Sequence, residues 1–192
     1  MVAHVDLDLS PEEAEELRFR TDRYLPKDIA LHSIVPVRED AHARFSATSR
    51  TYRYYVTLRK DPFLESLMLR LHFPLDFEVM NEAASHLMEY TDFTSFSKLH
   101  TDVKTNNCRV MEAFWTPGVS EGQWVFTITA DRFLRNMVRA IVGTLFQVGR
   151  GKLSVADFCQ IIEAKDRGRA GSSAPAHALY LEAVGYPDEL YL

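Results

Sequence analysis

Residues 43–58, ARFSATSRTYRYYVTL, hold three arginines, three tyrosines and no acid. The second half of this stretch is rich in β-branched and aromatic residues and is stopped by Lys60-Asp61-Pro62, so it reads as a strand from Arg50 to Leu58. Side chains alternate across a strand, which puts Arg50, Tyr52, Tyr54 and Val56 on one face and Thr51, Arg53, Tyr55 and Thr57 on the other. If the first face is core, Arg50 belongs at its margin, at the mouth of a cleft, because an unpaired buried charge is costly. Tyr52 then falls at the boundary, where a ring stacks while its hydroxyl makes a hydrogen bond. Two readings follow. Rings interleaved with arginines suit unpaired bases and phosphates; alternatively, this is an edge strand with a core tyrosine and arginine on its solvent face.

The rest of the chain supplies further elements. Ser10-Pro11-Glu12-Glu13 combines an N-cap, a proline in the first turn and a capping-box glutamate, predicting a helix to about Tyr24. Residues 29–37, rich in branched side chains, read as a strand. Residues 77–90 carry an apolar helical stripe of Met80, Ala83, Ala84, Leu87 and Met88. Residues 110–116 and 124–130 alternate on either side of Pro117-Gly118 and predict an antiparallel hairpin. Residues 132–148 form the longest helix candidate, Ser154 caps another to about Ala164, and residues 178–184 close the chain as a strand. Hairpins mixed with helices predict an α+β fold with a largely antiparallel mixed sheet flanked by helices.

A chain of 192 residues with 46% hydrophobic composition buries a real core. No apolar run approaches the ~20 residues that span a bilayer, and Met1-Val-Ala-His-Val-Asp lacks the basic and apolar regions of a signal peptide. The expectation is therefore a cytoplasmic protein without a membrane partner. Cys108 and Cys159 read as reduced thiols, with a disulfide as the alternative. The net charge of −5 argues against nucleic acid as a partner, but the charge is segregated. Residues 1–28 hold eight acids and four bases; residues 41–60 hold five bases and no acid; residues 131–152 hold five bases and one acid. A basic cleft on an acidic body fits this pattern, as do separate solvated faces.

On the predicted helix 132–148, Arg132, Arg135 and Arg139 recur at spacings of three and four and form one stripe. Most of the remaining circumference is apolar. Arg139 lies furthest into the helix and most needs a carboxylate partner; Arg132 and Arg135 are either solvated or touch phosphate. The seven histidines are scattered and pair with neither cysteine, so no zinc site is expected. No phosphate-cradling glycine motif is present. Asp92, Ser95 or Ser97, and His100 contain the residue types of a hydrolase triad, crowded into one polar loop. Lys165-Asp166-Arg167 reads as a local turn or ion pair, in a loop that could reach RNA.

Several ordered blocks together resemble the TruA family of tRNA pseudouridine synthases: Leu25-Pro-Lys-Asp-Ile-Ala, His42-Ala-Arg-Phe-Ser-Ala, Arg50-Thr-Tyr-Arg-Tyr, Asp92-Phe-Thr-Ser-Phe, Phe133-Leu-Arg-Asn-Met-Val-Arg139, Val142-Gly-Thr-Leu, Ala164-Lys-Asp-Arg and Ala174-Pro-Ala-His-Ala-Leu-Tyr-Leu. Ala178 stands where the family usually has glycine. The resemblance implies the pseudouridine synthase fold and the isomerisation of uridine to pseudouridine in the tRNA anticodon stem-loop, at family positions 38–40, by a homodimer using neither cofactor nor metal. It assigns Tyr52 to stacking on the target uracil and Arg139 to orienting the catalytic aspartate, with Arg44, Arg50, Arg53, Arg132 and Arg135 expected on RNA phosphates and Arg139 expected close to the ring of Tyr52. The family's aspartate lies in an Arg-Thr-Asp-x-Gly-Val-His motif that is absent here; Arg20-Thr21-Asp22 lacks its continuation. The resemblance thus implies a remnant of the N-terminal half in residues 1–40, the C-terminal half in 41–192, and an inactive fragment of the enzyme. The alternatives are a non-catalytic tRNA-binding module and, more distantly, a hydrolase built on the 92–100 loop.

Overall fold

The computed structural model describes residues 1–98 and 105–192. They divide into two compact units, Thr48–Gly185, and Met1–Ala47 with Tyr186–Leu192.

In the smaller unit the capping signal is realised as helix α1, Pro11–Tyr24. Glu13 N–H donates to Ser10 Oγ (3.3 Å), and Ser10 N–H donates back to Glu13 Oε2 (2.8 Å). No residue of α1 is buried. The strand expected at 29–37 does not form: Val37 alone makes a β-bridge, to Tyr191. Upstream, α1 side chains occupy the backbone that a ladder would use. Leu31 N–H donates to Asp22 Oδ1 (2.8 Å), and Arg18 Nη1 donates to Leu31 O (3.4 Å).

The larger unit is built on a five-stranded mixed sheet with helices packed against it, an α+β architecture. Its strands are β1 (Ser49–Thr57), β2 (Leu69–Arg70), β3 (Val110–Pro117), β4 (Gln123–Ala130) and β5 (Leu179–Gly185). The order β2-β1-β4-β3 is completed by β5, which also pairs with β1. β1 runs antiparallel to β4, with Arg50 opposite Ala130 and Tyr54 opposite Phe126, and β3 and β4 form the expected hairpin. β5 is antiparallel to β1 with a register shift between Thr51 and Tyr52. The alternation read from sequence holds: Tyr54 and Val56 are wholly buried, while Tyr52 is half-buried at the edge of the same core.

Helices α2 (Phe77–Ser85), α3 (Met137–Gly149) and α4 (Val155–Glu163) share one core with this face, α4 packing on α2 and α3, and α2 continues into a 3₁₀ turn at His86–Glu89. Eleven of the thirteen residues of α3 are buried, making it the central helix. It starts five residues later than its apolar pattern suggests. Asp131 Oδ1 accepts the backbone N–H groups of Arg109 and Arg132 (both 2.7 Å), and Asn136 adopts a left-handed φ of 70°. Short polar side chains that bond nearby backbone favour turns over helix, and asparagine tolerates this conformation. Arg132 and Arg135 therefore lie in the segment before α3 and share no helical stripe with Arg139, correcting the spacing argument. Gly143 lets the 171–174 segment press onto α3: a Cβ there would sit 1.8 Å from Ser172 O. Cys108 and Cys159 are free thiols, and burial pushes Cys108 up to about 11.

Candidate active site

At the start of α3 a cavity of about 840 Å³ opens between β1, the 133–139 segment and the 167–173 loop. β1 presents Tyr52, whose ring meets that of Phe133 edge-on at 5.1 Å and 86°. The first turn of α3 presents Arg139. Its Nε donates to Ala174 O (2.6 Å), and Ala174 N–H donates to Arg139 O (2.9 Å), so side chain and backbone grip the same residue. Among the described residues its guanidinium meets no carboxylate; a carbonyl, and partial exposure of the side chain, take the place of the expected acid. Beneath it, the Tyr54 hydroxyl donates to Pro175 O (2.9 Å); burial raises its pKa, opposed by the Arg139 charge.

Three further cations complete the wall: Lys98, Arg135 and Arg167. Arg167 is fixed by Gly171 O (3.2 Å) and Ser173 Oγ (3.0 Å), and Asn136 Nδ2 donates to the same hydroxyl (2.6 Å). Lys98 is anchored through its backbone N–H to Arg135 O (3.0 Å). Among the described residues, four cations, two aromatic rings and no carboxylate line this cavity. The first turn of α3 also lies in its wall, adding the positive end of a helix dipole. Such a surface attracts a polyanion and offers an aromatic face to an unstacked base.

Comparison with known proteins agrees with this chemistry. The family model described as tRNA pseudouridine synthase matches residues 83–187, more than half of the chain. tRNA pseudouridine synthase A of Porphyromonas gingivalis is 66% identical, the match covering 100% of this chain and 77% of the relative. The proteins of the same name from Bacteroides fragilis and Bacillus subtilis are 58% and 40% identical, with 100% and 96% of this chain matched to 75% and 74% of theirs. The chain belongs to the tRNA pseudouridine synthase family.

Within this family member, Tyr52, Arg135 and Arg139 of the expected site residues come together in one wall. Arg50 lies outside it, its Nη1 donating to Asp131 O (2.6 Å). Arg53, on the opposite face of β1, pairs with Glu182 at 3.0 Å. Arg132 is half-buried beside Asp131, and Arg44 belongs to the smaller unit, exposed, with its guanidinium 5.6 Å from the ring centre of Phe45. Lys98 is a cavity cation that the sequence reading missed, its only signal being its place in a polar loop; Arg167 lies in the 165–167 loop read as able to reach RNA, but was not named as a site residue.

The hydrolase types in the 92–98 loop are spent on structure. Asp92 accepts from Thr94 N–H (3.0 Å) and Thr94 Oγ1 (2.6 Å) and pairs with Lys165 (3.0 Å); burial pushes its pKa up, but the Thr94 hydroxyl first and Lys165 next outweigh it and hold the pKa below its usual value. Ser95 Oγ is buried, donating to Ile161 O (2.6 Å) and accepting from Asp166 N–H (3.0 Å). His100 lies outside the described residues. These bonds tie the loop that carries Lys98 to the segment leading into Arg167. Among the described residues no cluster of histidine, cysteine or acid could hold a metal ion, and no helix is long and apolar enough to cross a membrane.

Proposed function

We propose that this chain is the RNA-binding and cleft-forming part of an isomerase that converts uridine to pseudouridine in the anticodon stem-loop of tRNA. The observation that carries the reading is the cavity in which, among the described residues, Tyr52 and four cations stand without an acid, in a chain whose net charge is −5. In the reaction the C1′–N1 bond breaks, the uracil turns and C1′–C5 forms; the C5 proton leaves and N1 is protonated, so the composition is unchanged. Extruding the nucleotide costs a few kcal/mol, which stacking on Tyr52 and phosphate contacts to Arg135, Arg167 and Lys98 offset. Arg139, already gripped through Nε by Ala174, has its terminal nitrogens left to receive a carboxylate bidentately. Arg44, Arg50, Arg53 and Arg132 serve as outer phosphate contacts. The reaction takes place in the cytoplasm, with a second copy of the chain completing a homodimer.

Residues 1–192 contain no Arg-Thr-Asp-x-Gly-Val-His segment. The 192-residue chain by itself therefore binds tRNA without turnover, and tritium release from tRNA labelled at uracil C5 stays at background. Fusing the family's aspartate segment to Met1 restores release, and Arg139→Ala in that fusion abolishes it while tRNA remains bound. Turnover by the unfused chain would overturn the assignment of the missing aspartate. A fusion that binds tRNA yet releases no tritium would favour the second reading, a tRNA-binding module without catalysis.

A further inference from the structure

The cavity at the start of α3 leaves part of the basic charge of this region unexplained. Further along the same helix a second groove, of about 390 Å³, lies between residues 69–73, the end of α3 and the 172–175 segment. Arg150 and Lys152 stand in its wall with Gln147, Ser172 and Ser173, and among the described residues no carboxylate lines it. The Arg150 guanidinium lies over the ring of Phe73, 4.2 Å from its centre. Lys152 is set by a tight turn: Gly151, at φ 67°, donates to Val148 O (2.8 Å), and Lys152 N–H donates to Gln147 O (2.9 Å). Both cations are exposed, and among the described residues neither forms an ion pair.

A plainer account has Arg150 complementing the negative end of α3 and Lys152 solvated. Two observations go beyond it. Only Arg139 and Gln147 of α3 are not buried, and each lines one of the two grooves. Ser173 lines both, so the grooves share a wall. At about 1.5 Å of rise per residue, Arg139 and Arg150 are separated by roughly 16 Å along the helix, a span that a few nucleotides of extended single strand cover.

We propose that the second groove holds an unpaired nucleotide of the RNA that fills the first cavity. Its base stacks on the outer face of the Arg150 guanidinium, which Phe73 supports from beneath; its phosphate sits at Lys152, and Gln147 and Ser172 offer polar contacts. Guanidinium planes and aromatic rings are the usual platforms for such bases. This rests on the tRNA-binding reading above.

The test is tRNA affinity as a function of salt, using the intact chain. The double variant Arg150→Ala/Lys152→Ala should weaken binding and reduce the log–log salt slope by about 0.7 for each single-strand phosphate that the protein no longer neutralises. Arg150→Lys, which keeps the charge but removes the plane, should keep the slope and still bind several-fold more weakly. Both positions are exposed, so the double variant should still unfold cooperatively, with a thermal midpoint only slightly below wild type from loss of the Arg150–Phe73 contact. If Arg135→Ala and Arg167→Ala flatten the slope and the groove variants do not, the groove proposal fails and the first cavity stands. If the wild-type chain does not bind tRNA, both readings fall together. Uridine monophosphate provides the remaining arm: binding of the free nucleotide that depends on Arg150 and Lys152, with the tRNA slope unaltered, would make the groove a small-molecule site and overturn its assignment to RNA.

Discussion

Helices α1 and α3 are opposites in how they are held. α1 has a complete capping box, a proline in its first turn and an Arg18–Glu15 ion pair, but no buried residue. α3 has no side-chain cap, starts behind a left-handed asparagine and buries all but two of its residues. Local chemistry writes the first; the body it fills places the second. The site falls at the start of α3, where a helix without a cap of its own is fixed by its neighbours. Ala174 grips Arg139, and Ser173 receives both Asn136 and Arg167. A helix positioned by packing can hold a charged side chain at a set point in a wall, because the rest of that helix cannot shift without opening the core.

The contrast breaks first under a core truncation. Leu145 is fully buried in α3, and Leu145→Ala should cost about 2–5 kcal/mol. Denaturant unfolding followed by tryptophan fluorescence reports this directly, because both tryptophans lie in β3 and β4. A cost below about 1 kcal/mol would mean that α3 is not the element on which the larger unit is built.

The same contrast explains what the sequence disclosed. Ser10-Pro11-Glu12-Glu13 marks α1 because its cap involves neighbours three residues apart. The period of two in Arg50–Val56 put Tyr52, Tyr54 and Val56 on one face and, if that face were core, Tyr52 at its margin, with a core tyrosine as the alternative; Tyr54 and Val56 are wholly buried and Tyr52 half-buried. The start of α3 was hidden, because the apolar pattern continues back through Phe133 and Leu134 while Asp131 and Asn136 turn the backbone. Residues 29–37 have strand composition, but Asp22 and Arg18 of α1 take up the backbone N–H and carbonyl of Leu31. Lys98 and Arg167 were invisible as a pair: they are sixty-nine positions apart, and the bonds of Asp92 to Lys165 and of Ser95 to Asp166 tie their loops together. Arg139 was legible from its need for a partner on an apolar helix, but the partner found is the Ala174 carbonyl, thirty-five residues away.

A smaller effect sharpens the comparison. Ser10→Ala removes the acceptor for Glu13 N–H and should cost α1 about 1 kcal/mol. Since α1 buries nothing, the loss should remain local. Hydrogen exchange should speed up roughly fivefold in the first turn of α1, as about 1 kcal/mol implies, while the amides of β1 and β4 keep their protection. Equal loss of protection in both would show that α1 is coupled to the larger unit.

Helix α4 tests whether a helix can carry both kinds of support. It has a capping box, Ser154 with Asp157, and it buries Phe158, Ile161 and Ile162. Backbone and side-chain hydrogen bonds from Ser154 lower the Asp157 pKa from its usual value of 3.8. A folded pKa below the unfolded one means that the carboxylate stabilises the helix above the unfolded value, and that this support is lost as pH falls through the folded value. Between about pH 5 and pH 2, first-turn amides of α4 should therefore lose protection, while Asp157→Asn should show a weaker first turn that no longer responds in this window. The amides facing Phe158 and Ile162 should stay protected in both proteins, because burial rather than the cap holds them. If acid releases the whole helix in wild type but not in the asparagine variant, the cap would hold α4, and its buried face would count for less than that of α3.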